Sequence, residues 1–123
     1  MRRYTGLALL MLSVLLGKPV PAAAEDVFVL RSAQWNIPRT TQSVIGMPAV
    51  SQAVKAYETT PLATIQLRYA GGDEGTLWAS ELRSWLVALG IASAHIDLLP
   101  GAKETGQLEI RVVSSPLRGR PEN

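Results

Sequence analysis

The sequence predicts a two-layer α+β sandwich, with two helices on one face of a small mixed sheet. Three observations predict it. Residues 63–69 and 107–113 alternate apolar and polar side chains with the two-residue period of half-buried strands. Residues 48–58 and 77–89 carry apolar side chains at helical spacing. Taken with two shorter strand-like stretches, the order is β-α-β-α-β-β, which packs as helices laid over a sheet.

Each element has its own signal. Asp26–Arg31 is β-branched and aromatic and reads as a strand. Ser32–Arg39 holds Trp35, Asn36 and Pro38 and reads as a connection. Thr40–Gly46 is ambiguous between a loop and one or two helical turns. Pro48 suits the first turn of a helix, where its missing N–H costs nothing. Val50, Ala53, Val54 and Tyr57 then form one apolar stripe, and Thr59-Thr60-Pro61 ends it. In Ala63–Tyr69, Ile65, Leu67 and Tyr69 face one way, and Thr64, Gln66 and Arg68 the other. Ala70–Thr76 reads as a flexible loop with Thr76 as a helix cap. Leu77–Leu89 is the clearest helix, with Trp78, Leu82, Trp85, Leu86 and Leu89 on its apolar face. Gly90-Ile91 closes it with a left-handed residue and an apolar contact. His95–Leu99 reads as a short strand with Ile96 and Leu98 inward, Pro100-Gly101 as a turn, and Gln107–Val113 as the last strand.

The first 24 residues read as a secretory signal. Arg2 and Arg3 precede the apolar run Leu7–Leu16, and Ala22-Ala23-Ala24 supplies a small-residue cleavage site. The run is ten residues long, whereas a membrane span takes about 20. The expected organisation is a signal at 1–24, one domain at 25–113 and a disordered tail at 114–123. The expected location is periplasmic, with no membrane span after cleavage. Removing Arg2, Arg3 and Lys18 turns the net charge of +2 into −1, nine basic residues against ten acidic ones. No cluster of Lys and Arg offers a surface to nucleic-acid phosphates. The chain has no cysteine, which excludes a thiol nucleophile, a Cys-ligated metal and a lipidated anchor.

The chemistry-bearing residues are sparse. Gly71-Gly72-Asp73-Glu74 copies four letters of the GGDEF signature of diguanylate cyclases, but Gly75 stands fifth and the chain is too short for that domain. Asp73 and Glu74 instead precede a helix, where its dipole stabilises acids. Two carboxylates are too few for a calcium ion. His95 is the only histidine. Alternation places it on a polar face with Asp97, as a surface pair without the partners of a relay or metal site. No serine sits in a nucleophile elbow. Catalytic, cofactor and metal sites are therefore all read as none. The three tryptophans are the most unusual content. Trp85 reads as core. Trp78, beside the glycine loop, reads as partly exposed. Trp35 reads either as a partner surface or as a cap on the core. The candidate contact residues are Trp35, Asp73, Glu74 and Trp78.

Three phrases resemble the OmpA-like C-terminal domain of envelope proteins. Ile65-Gln66-Leu67-Arg68-Tyr69 with its Gly- and Asp-containing loop is similar to that family's strand before its "TDxxG" loop. Leu86–Ile91 is similar to the end of its long helix, and Gln107–Val112 to its last strand. The resemblance covers about residues 26–113. It implies an α+β sandwich and a peptidoglycan-binding module, in which a loop Asp and an early helix Arg hold diaminopimelate. Asp73 falls on the Asp. The Arg position falls near Trp78, and Arg83 lies five residues later, on another face. The "YNxxLSxxRA" phrase is absent. Trp35–Arg39 and Asp73–Leu86 also resemble small exported proteins encoded in integrating conjugative elements. That resemblance implies a non-enzymatic accessory of a conjugation or envelope assembly. Its partners would be proteins of that apparatus, with peptidoglycan as the other candidate.

Overall fold

The computed structural model describes residues 25–114; the expected signal and the rest of the expected tail lie outside the described residues. The chain folds as the two-layer α+β sandwich that its pattern predicts. β1 (Glu25–Arg31), β2 (Ala63–Tyr69), β3 (Ile96–Pro100) and β4 (Gln107–Ser114) form one sheet in the order β1-β4-β2-β3. β4 runs antiparallel to both β1 and β2, and β2 runs parallel to β3. Four helices accompany it: α1 (Ser32–Trp35), α2 (Thr41–Ile45), α3 (Pro48–Thr59) and α4 (Asp73–Ala88).

Alternation decides which sheet face is covered. Ile65 and Leu67 of β2, with Leu108, Ile110 and Val112 of β4, are buried, while Gln66, Arg68, Glu109 and Arg111 stay partly exposed. α3 contributes Val50 and Ala53 to the buried side, and α4 contributes Ala79, Leu82 and Leu86. Trp78, Trp85 and Leu89 pack against this core with part of their surface open.

Local chemistry sets the helix ends. Pro48 occupies the start of α3. In α2, Ser43 N–H donates to Thr40 Oγ1 (3.0 Å) and Thr40 N–H donates to Ser43 Oγ (2.8 Å), a reciprocal cap. This resolves the ambiguous 40–46 stretch as helix. At the end of α4, Gly90 takes φ +107, so its N–H reaches Val87 O (3.0 Å) and that of Ile91 reaches Leu86 O (3.1 Å). Both orphan carbonyls are satisfied, and Ile91 is buried as the closing contact.

Three expectations need correction. The 32–39 connection contains α1, whose first turn is tied by Arg31 N–H to Gln34 Oε1 (3.0 Å). α4 starts at Asp73, four residues before Leu77, so Thr76 is inside the helix and its N–H bonds Gly72 O (3.0 Å). His95 belongs to a short 3-10 turn, Ser93–His95, ahead of β3. Its Nδ1 lies 2.6 Å from Tyr57 Oη on α3, so its partner is Tyr57 and not Asp97.

Candidate functional site

The turn after β2, the start of α4 and α1 meet at one end of the sheet. Trp35, the last residue of α1, is only 4% exposed. Its ring stacks on Trp78 of α4, with centroids 6.2 Å apart and planes 24° apart. In the fold Trp35 caps the core, the second of its two readings. A side chain so enclosed has almost no area to offer another molecule.

Arg39 covers the outer side of this stack. Its guanidinium carbon lies 4.5 Å from the Trp35 ring centroid, within cation–π range. Nη1 donates to Trp35 O (2.7 Å). Nε and Nη2 donate to Glu81 Oε2 (2.7 Å) and Oε1 (3.1 Å), the two-pronged geometry that favours Arg over Lys. The hydrogen bonds from Arg39 hold the Glu81 carboxyl below its usual value, against a smaller opposing effect of burial; the charge of Arg39 and a hydrogen bond from Trp85 act in the same sense as the Arg39 bonds.

A depressed carboxyl pKa gives stability that is present above the unfolded value and lost as pH falls through the folded one. Thermal unfolding is expected to shift to lower temperature as pH drops below about 4.5, the ordinary value of this group. Glu81→Gln should lose that part of the pH dependence. Because the pair is partly solvated, its removal at neutral pH is expected to cost about 1 kcal/mol or less, checked by urea unfolding.

Beside the stack lies a cleft of about 320 Å³, bounded by Asn36, Tyr69, Gly71, Glu74, Trp78 and Gln107 among others. A smaller hollow of about 150 Å³ adjoins it, where Leu77, Arg39 and Glu81 join Trp78 and Glu74. Leu77 is 70% exposed at this rim. Glu74 is exposed in the first turn of α4, where the helix dipole favours its charge. It borders both spaces. Asp73, also exposed, does not border either. Arg39 borders the hollow with its charge already matched by Glu81, so Glu74 is the charged group left to meet a ligand in the larger cleft. The Trp78 Nε1 donor is buried and has no acceptor among the described residues.

Of the candidate residues, the structure brings Trp35, Glu74 and Trp78 to one end of the fold and leaves Asp73 on the open side of the same helix turn. Arg39 and Glu81 are the organising pair that the sequence reading did not find. They lie 42 positions apart, and no period links them. Arg83, the nearest helix Arg to the family position, bonds Ser93 O (3.4 Å). Among the described residues no three of His, Cys, Asp and Glu converge as metal ligands. No described helix is long and apolar enough to cross a membrane. The arrangement defines a small α+β domain with a cleft walled by Trp78 and Tyr69 and carrying Glu74. No protein-family model matches the chain, and no curated protein matches it either.

Proposed function

We propose that this chain is an exported, non-enzymatic binding protein of the bacterial envelope, an accessory of a conjugation or envelope assembly in the periplasm. The observation that carries the reading is the cleft at Trp78 and Glu74. A rigid aromatic wall, a carboxylate with no ion pair among the described residues and the exposed Leu77 stand side by side on a well-packed frame. Aromatic and apolar anchors beside a polar rim are the usual make-up of contact surfaces. The amino-terminal basic and apolar pattern supports the export part.

The test is capture of periplasmic proteins by the immobilised chain. Glu74→Lys and Leu77→Glu change exposed side chains outside the core and should leave folding intact. Each is expected to weaken capture of the same partners at least about tenfold, the effect of losing a contact worth about 1.4 kcal/mol. Wild-type capture by both variants would rule the cleft out.

A second reading, a peptidoglycan-binding module, draws on the position of the cleft beside the loop before α4. Co-sedimentation with purified sacculi that Asp73→Ala abolishes would select it. Since Glu74 and not Asp73 borders the cleft, Glu74→Ala belongs in the same experiment.

A further inference from the structure

Among the described residues, the order β1-β4-β2-β3 leaves one side of β1 without a neighbouring strand. The direction of its backbone groups can be read from the register. Ser32 N–H donates to Gly106 O (2.9 Å), continuing the ladder in which Arg31 faces Gln107. Backbone groups alternate sides along a strand. Even-numbered residues of β1 therefore bond to β4, and Glu25, Val27, Val29 and Arg31 direct their N–H and C=O groups outward. The Arg31 N–H is already taken by Gln34 Oε1 (3.0 Å). Among the described residues no partner reaches the outward donors and acceptors of Val27 and Val29, and Val27 is 46% exposed.

We infer that β1 pairs antiparallel with β1 of a second copy of this chain, about a two-fold axis at Phe28. In that register the outward-bonding positions Glu25, Val27, Val29 and Arg31 of the sequence Glu25-Asp26-Val27-Phe28-Val29-Leu30-Arg31 are self-complementary, while Asp26 stands opposite the partner's Leu30 without a matching group. Val27 meets the partner's Val29 and Val29 meets the partner's Val27, each as a hydrogen-bonded pair. Phe28 meets the partner's Phe28. At each end Glu25 meets the partner's Arg31. β-branched pairs and opposite charges are the favourable cross-strand combinations. Sliding the register by two residues sets Val29 or Val27 against itself and brings Glu25 or Arg31 opposite a valine, which forfeits the charge match. Glu25 Oε2 is bonded to Arg111 (3.1 Å), so in the pair its carboxylate is shared between Arg111 and the partner's Arg31; with Arg31 Nη1 on Gln107 (3.3 Å), both side chains already lie on the sheet face where the partner's side chains arrive. The opposite edge is less suited: β3 is five residues long and ends in Pro100, which has no N–H to give. The result is one continuous eight-stranded sheet, an isologous interface in which each copy offers the same strand.

The absence of cysteine makes the register directly testable in the full-length chain expressed in a bacterium. Val27→Cys and Val29→Cys versions, mixed and oxidised, should form a disulfide-linked mixed dimer. The expected Cα separation of such a pair, about 5.5 Å, lies within disulfide reach. Val27→Cys mixed with Arg31→Cys should link far less. A second variant, Val29→Pro, removes an N–H that points away from β4 and leaves the β1–β4 ladder its bonds. It is expected to keep the circular dichroism of the parent and to lose the dimer in sedimentation equilibrium. The inference is overturned if the parent sediments as a monomer at all concentrations, or if mismatched cysteine pairs link as readily as the matched one. Glu74→Lys should dimerise like the parent, so failure of the cleft reading leaves this interface standing, and the reverse.

Discussion

Trp35→Ala is expected to cost about 3–5 kcal/mol of folding free energy, the range for emptying a buried tryptophan site. The indole is 4% exposed, stacks on Trp78 and lies under the Arg39 guanidinium. Truncation removes all three contacts together. It leaves Arg39 bonded to Glu81 but standing over a void, and it uncovers the Trp78 ring. A domain of this size has total stability on the order of 5–10 kcal/mol, so the variant should be close to unfolding at room temperature. Urea unfolding followed by tryptophan fluorescence checks it. Trp35→Phe, which keeps a ring in the stack, should recover more than half of the loss. A loss below about 1 kcal/mol for Trp35→Ala would place the side chain outside the core.

Gly75→Ala should have the next largest effect. A Cβ at that position would lie 1.9 Å from Ala70 O and 3.0 Å from Ala70 C, both backbone atoms, and 3.5 Å from Tyr69 Cδ2. No rotamer change relieves a clash with a carbonyl. Either the first turn of α4 moves away from the loop or the end of β2 moves. Overpacking of this kind costs about 1–3 kcal/mol. Because Gly75, Ala70 and Tyr69 all border the cleft, the same shift should deform it, and the ligand capture described above should weaken beyond what the lost stability explains. Gly71→Ala is the matched control: its Cβ would meet nothing within 4 Å, and urea unfolding should place it within about 0.5 kcal/mol of the parent.

These two residues also show where the sequence was legible and where it was not. β2 and β4 were readable because each buries one face, so the period of two is written into Ile65, Leu67, Leu108, Ile110 and Val112. The end of α4 was readable because Gly90-Ile91 does by local chemistry what any context would require. The start of α4 was not. Gly71-Gly72-Asp73-Glu74-Gly75 has the composition of a loop, and glycine is a poor helix former. Position 75 of the helix holds glycine because the Ala70 carbonyl passes too close for any side chain, a tertiary demand with no local signature. The burial of Trp35 was left open by the sequence for a related reason. A single aromatic residue in a stretch with Asn36 and Pro38 has no period to mark it as buried, and its partner Trp78 is 43 positions on. The Arg39–Glu81 pair joins a connection to a helix, and only folding brings the two together. For His95, alternation was applied one residue too far: the strand starts at Ile96, and the 3-10 turn directs the imidazole to Tyr57 instead.

The placement of β4 has a consequence for how the polypeptide reaches its folded form. Among the described residues the last strand in sequence, β4, lies between β1 and β2, with Val113 paired to Glu25 on one side and to Thr64 on the other. A nascent chain that has not yet released residues 107–114 from the ribosome has no neighbour for β1 and nothing to close the gap between β1 and β2. Assembly of the sheet must wait until residues 107–114 have emerged, because this long-range closure completes it and everything central depends on it. Up to that point the polypeptide remains threadable, the condition that passage through a narrow channel demands.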